Sequence, residues 1–183
     1  SAGQTQKGIF KELAASDTDF TGVKAFVVCD YLGLAEDDDI KCVNELKSEL
    51  FSKLGIVNVY APDEEDPESY DDAIKAAGGI DLVLLGIGLN GHIGFNEPAT
   101  PYLSYTHTQK LTDSTKRMKQ EQFGGFENVP EYGVTMGLKT ICDAKNVILT
   151  AFGEEKADII FDLVYGKTLT YVPAAMLQMH MNM

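Results

Sequence analysis

Short apolar runs rich in β-branched residues, at 25–31, 57–60, 81–86 and 146–151, alternate with segments of helical periodicity, and this alternation constrains the fold more than any other feature. The runs are continuously apolar rather than alternating, as expected of strands covered on both faces. Between them, Val43, Leu46, Leu50, Phe51 and Leu54 recur at helical spacing and form one apolar stripe, which Gly55 ends. Further helices are expected over 67–77, closed by Gly78-Gly79, and over 154–165, closed by Gly166. The pattern predicts an α/β fold with a three-layer, doubly wound, mostly parallel sheet of Rossmann-like type, whose ligand site lies at the carboxyl ends of the strands.

No repeat, low-complexity tract or linker divides the chain, so residues 1–183 read as one domain. The chain enters through a loop and the amphipathic helix 7–14 with no strand in front, and it stops after the helical stretch that follows Pro173. Terminal elements of the sheet are therefore expected to be missing from it.

Charge excludes several function classes. With 28 acidic and 15 basic residues the net charge is −13, and Arg117 is the only arginine. A nucleic-acid partner is excluded, because phosphate neutralisation needs a concentrated basic patch. An anionic ligand would need a locally positive site against the overall field. No apolar run approaches the roughly 20 residues of a membrane span, so no membrane partner is expected. Cys29, Cys42 and Cys142 are widely spaced and form no C-x-x-C pair, which suggests neither a disulfide framework nor a metal centre and fits a reducing cytoplasm. The start of the chain shows no basic and apolar segments of a secretory leader.

The chemistry concentrates at 81–98. Gly86, Gly88 and Gly91 satisfy G-x-G-x-x-G after a strand, which invites a dinucleotide-binding reading. The context rejects it: that fingerprint opens a long helix, whereas His92, Asn96, Glu97 and Pro98 follow here at once. Glycines, an imidazole and a carboxylate packed this closely describe an active-site loop. His92 exchanges protons near neutral pH, and Glu97 is placed to hold its tautomer or raise its basicity if the loop folds back. His107 and His180 lack such surroundings.

The run Gly91-His92-Ile93-Gly94-Phe95-Asn96-Glu97-Pro98 resembles the signature loop of the glucosamine-6-phosphate deaminase and galactosamine-6-phosphate isomerase family. The related 6-phosphogluconolactonases share the fold and a Gly-His pair without the Phe-Asn-Glu-Pro continuation. The likeness extends to 1–13, similar to a Gly-rich phosphate loop and its helix, to 29–34, to 134–137, to 143–157 and to 172–178. It implies conversion of a 2-amino-2-deoxyhexose 6-phosphate to ketohexose 6-phosphate and ammonia, without a cofactor. It also implies that His92 assists ring opening, oriented by Asn90 and Glu97, with Gly88 and Gly91 lying against the substrate. The phosphate would lie against Ala2, Gly3 and Thr5 at a helix N-terminus, with Lys156 completing the clamp.

The sequence departs from this pattern at chemically loaded positions. Anchoring on Tyr31 and Gly33 puts Cys29 where the resemblance expects the carboxylate that carries a proton between C1 and C2, and Asp30 on the acid beside it. A thiol of ordinary pKa near 8.5 is a poor replacement. Gln4 and Gln6 replace phosphate-loop residues, and Gln120-Glu121-Gln122 stands where a basic phosphate ligand is expected, with Arg117 and Lys119 out of register. The expected function is an amino-sugar-phosphate isomerase and deaminase acting on a small-molecule sugar phosphate. The alternatives are a catalytically impaired sugar-phosphate-binding homologue and, behind it, a lactonase-like hydrolase. Homo-oligomerisation stays open.

Overall fold

The computed structural model describes residues 2–167 and 171–183; Ser1, first residue of the expected phosphate loop, and the side chain of Gln4 lie outside that description. A 3-10 turn (Gln4–Gln6) leads into α1 (Lys7–Ala14). The 25–31 run divides into β1 (Lys24–Phe26) and β2 (Cys29–Tyr31). The Val43–Leu54 stripe forms α2 (Cys42–Leu46), a π-helical segment (Lys47–Phe51) and α3 (Ser52–Leu54), which Gly55 ends in the left-handed conformation. There follow β3 (Asn58–Tyr60), α4 (Pro67–Ala76), β4 (Leu82–Gly86), β5 (His107–Lys110) and α5 (Asp113–Lys119). The chain ends through β6 (Tyr132–Thr135), α6 (Leu138–Cys142), β7 (Asn146–Thr150), α7 (Ala157–Tyr165) and a 3-10 segment (Pro173–Met179).

β1 pairs with β3 and β4 with β7, both parallel, as the alternation predicts. The remaining strands form an antiparallel sheet in the order β2-β6-β5, which the apolar runs do not announce. The reason is local: β5 is His-Thr-Gln-Lys and β6 begins Tyr-Gly, so neither carries an apolar run. The 25–31 run breaks because it changes partner. Val27 N–H still reaches the Tyr60 carbonyl at 2.9 Å, whereas the Val28 carbonyl accepts from Met136 N–H at 2.8 Å.

Two apolar clusters result. One gathers Leu85, Ile93, Leu138, Ile141 and Leu177 under β4, β7, α6 and α7. The other gathers Phe10, Val27, Tyr31, Leu46 and Phe95 around β2, α1 and α2. Among the described residues no ladder joins β1 to β4, and an apolar cavity of about 560 Å³ lies between them, lined by Ala25, Phe26, Leu82, Val83, Phe10 and Leu50. No described helix is long and apolar enough to cross a membrane.

Burial along β4 is uneven, with Leu85 0% and Leu82 48% exposed. Leu85→Ala is therefore expected to cost about 2–5 kcal/mol in urea unfolding, through lost transfer energy and a residual cavity. Leu82→Ala is expected to cost less than about 1 kcal/mol, and equal losses would show that the slot beside β4 is closed in solution.

Candidate active site

β4 ends at Gly86, and the chain turns back on itself at once: Gly88 N–H donates to the His92 carbonyl at 2.9 Å, and Gly91 N–H to the Gly88 carbonyl at 3.0 Å. Gly88 is required by contact, since a β-carbon there would sit 2.3 Å from the His92 ring. Gly91 is required by conformation, with φ +82°. Its α-carbon faces Val172 and Ile159, where a β-carbon would come within 2.8 and 3.1 Å. Gly88 thus makes room for the imidazole, and the α-carbon of Gly91 packs inward.

The second half of the loop is welded to β6. Asn96, 0% exposed, donates from Nδ2 to the carbonyls of Ile93 (2.9 Å) and Met136 (2.8 Å), and Phe95 N–H donates to Thr135 Oγ1 at 3.1 Å. These anchors present Glu97 inward, 1% exposed. An ionised carboxylate only accepts hydrogen bonds. Its Oε1 takes Thr112 N–H (3.1 Å), and its Oε2 takes Asn90 Nδ2 (2.8 Å) and the Thr112 hydroxyl (3.1 Å). Because Asn90 must turn its amide nitrogen to Glu97, its Oδ1 faces His92, 2.8 Å from Nδ1. The network thus assigns the proton of the neutral ring to Nδ1. Thr115 Oγ1 stands 3.1 Å from the same nitrogen. Nε2 then carries the lone pair and, among the described residues, has no protein hydrogen-bond partner. It is the available acceptor.

His92 is held neutral. Burial pushes its pKa down to about 4, the Glu97 charge opposes that fall, and the charges of Lys119 and Lys156 add to it. Lys156, in the 3-10 turn Glu154–Lys156 before α7, donates from Nζ to the Ile87 carbonyl at 2.8 Å, and burial lowers its pKa as well. The Gln4–Gln6 turn packs on the same end of β4: a β-carbon on Gly86 would lie 3.1 Å from Gln6 Nε2 and 3.9 Å from Thr5 Cβ. Gly3, with φ +117°, shapes that turn, and Ala2 packs on the second apolar cluster. The fold therefore brings together His92, Asn90, Glu97, the Ala2–Thr5 segment and Lys156 at the carboxyl end of β4.

Asp30 is taken up by a helix start. The Asp30 carboxylate accepts from the backbone N–H groups of Tyr31 and Cys42, each at 2.8 Å, and of Val43 at 3.2 Å, which caps the start of α2. Burial raises its pKa while these amides oppose the rise. Cys29 is buried in the second apolar cluster and its thiol faces Cys42, whose own pKa is raised first by their hydrogen bond and then by burial. In this arrangement the Cys29 thiol is paired with Cys42 and the Asp30 carboxylate with the start of α2.

Thr112 and Thr115 were not singled out from sequence, and Lys119 was set out of register for a phosphate ligand. Thr112 is the N-cap of α5, accepting from Thr115 N–H, so a capping pattern was legible there, but its reach to Glu97 was not. Lys119 closes the same helix, half-buried, while Glu121 is exposed; Lys116 and Arg117 stack on Phe126 instead.

Comparison with known proteins gives concordant results. The profile of the family described as glucosamine-6-phosphate isomerases/6-phosphogluconolactonase matches residues 1–183. A glucosamine-6-phosphate deaminase of Streptococcus thermophilus is 38% identical over 184 residues, covering 97% of this chain and 78% of the relative. One from Pediococcus pentosaceus is 39% identical over 186 residues, covering 98% and 78%. Among solved structures, a monomeric glucosamine-6-phosphate deaminase superposes with TM-score 0.94 at 29% identity, covering 99% of this chain and 80% of that one. A 6-phosphogluconolactonase of Thermotoga maritima, at 20% identity and TM-score 0.75 with 96% and 77% covered, shares the fold.

The depressed pKa of His92 makes stability depend on pH. Between about 4 and the ordinary value of 6.5 the unfolded chain binds the proton and the folded one does not. The contribution is whole above about pH 6.5 and is lost as pH falls toward 4, on the order of 3 kcal/mol at roughly 1.4 kcal/mol per unit. Urea unfolding at stepped pH should show this loss in the wild type and its removal in His92→Gln; equal slopes would mean that the ring is solvated.

Proposed function

The chain belongs to the family of glucosamine-6-phosphate isomerases and 6-phosphogluconolactonases, and from that premise we propose that its site is that of an amino-sugar-phosphate isomerase and deaminase. It would convert a 2-amino-2-deoxyhexose 6-phosphate and water to a ketohexose 6-phosphate and ammonia. The observation that carries this reading is the closed set Asn90, His92, Glu97 and Thr112, which leaves one neutral imidazole nitrogen available at the carboxyl end of β4.

The chemistry follows from the protonation state. Nε2 accepts the anomeric hydroxyl proton as the C1–O5 bond of the sugar opens, and returns it to O5, so the open-chain aldehyde forms with no net change in the ring's charge. The phosphate is held by backbone amides of Ala2–Thr5 at the entry to α1 and by Lys156, with Lys119 as the second cation in place of a residue at 120–122. Both lysine charges are felt at His92, which supports their facing one space.

The proton moved between C1 and C2 has no evident carrier in β2, because Asp30 caps α2 and Cys29 lies against Cys42. That observation favours slow turnover and keeps the impaired, ligand-binding homologue as the second reading.

Assay of ammonia and ketohexose phosphate formed from glucosamine and galactosamine 6-phosphates tests both. Turnover is expected from one epimer, with His92→Gln reducing kcat/KM about 100-fold or more, Lys119→Met and Lys156→Met raising KM, and Cys29→Asp raising kcat. Tight binding of both sugars without ammonia from either would replace the deaminase reading by the binding one.

A further inference from the structure

We propose that Thr112 is a positioning residue that holds the Glu97 carboxylate off the His92 ring, so that the imidazole meets its ligand as a neutral acceptor at Nε2. The catalytic meaning of this inference rests on the proposed function, while its geometry stands without it. A buried carboxylate beside an imidazole ordinarily closes to hydrogen-bond distance and draws a proton onto the ring. Here Glu97 Oε2 stops 3.8 Å from Nδ1.

What stops it is the demand on its oxygens. Thr112 supplies two of the three donors it receives, the backbone N–H on Oε1 and the hydroxyl on Oε2, each at 3.1 Å. The hydroxyl has little choice. Asn90 Nδ2 and Thr115 N–H, both at 3.3 Å, are donors that it must accept from. Its single proton can go to Glu97 Oε2 or to Thr115 Oγ1 at 3.3 Å, and the charged, closer oxygen is the stronger acceptor. The backbone of Thr112 is fixed as the N-cap of α5, with φ −74° and ψ 158°, so Glu97 is tied to a helix start rather than to the ring. The charged groups that act on the imidazole are Glu97, which favours its protonation, and Lys119 and Lys156, which oppose it. Releasing Glu97 would let the one favourable charge approach.

The test is a side-chain NMR titration of His92, assigned by loss of its resonances in His92→Gln. In Thr112→Val the midpoint is expected to rise by about one pH unit or more, and Thr112→Ser, which keeps the hydroxyl, should titrate like the wild type. Should Thr112→Val fail to fold for want of its cap, Thr112→Gly gives the same reading, because glycine caps a helix at a cost of only a few tenths of a kcal/mol. An unmoved midpoint in the folded variant lacking the hydroxyl overturns the proposal, as does a serine variant that shifts as far as valine. Ammonia release, measured in parallel, separates the two readings. A shifted midpoint in a chain that never releases ammonia sinks the proposed function and leaves the positioning role. Ammonia release with an unmoved midpoint does the reverse.

Discussion

A carboxylate with 1% of its surface exposed, Glu97, sets the terms for everything around it. Burying an ionised group is costly unless its oxygens are fully paired, and the partners here come from separate stretches of chain: Asn90 from the turn after β4, and Thr112 from the end of β5 and the start of α5. Phe95 and Asn96 fasten the loop that carries Glu97 to the end of β6, the inner strand of the antiparallel sheet beside the parallel pairs. Satisfying one charge therefore fixes the amide of Asn90, the tautomer of His92 and the entry of α5 in a single arrangement.

The electrostatics run against the net charge of −13. An anion approaching this protein is repelled at long range and must be recovered by short-range donors. The turn at Gln4–Gln6, Lys156 on the Ile87 carbonyl and Lys119 at the end of α5 concentrate positive potential at the end of β4. The same lysines help to keep His92 neutral, so the features that would attract a phosphate also prepare an acceptor nitrogen.

β2 shows the other side of this economy. Asp30 and Cys29 sit where acid–base chemistry is expected, yet one serves as the cap of a helix whose own N-cap residue, Lys41, has no capping side-chain bond, and the other fills the second apolar cluster. Three backbone amides fasten that buried carboxylate, and the cost of its burial still outweighs them.

Composition and local pattern determined a good deal without tertiary help. Glycine spacing after an apolar run located the active loop, the apolar stripe from Val43 to Leu54 marked its helix, and the breakers at Gly55 and Gly78 ended their elements, because each depends on backbone freedom or periodicity within a few residues. β5 escaped notice because a pairing partner far along the chain, and no apolar run, makes it a strand, and β6 was legible only through the resemblance at 134–137. Thr112 and Thr115 escaped for a similar reason: a threonine at a helix cap looks the same whether or not a carboxylate fifteen residues upstream needs its proton. The cap that Asp30 makes was equally hidden, because the amides of Cys42 and Val43 that it binds lie twelve and thirteen residues away. Residue chemistry is written in the sequence, but which partner consumes it depends on distances that only the folded chain creates.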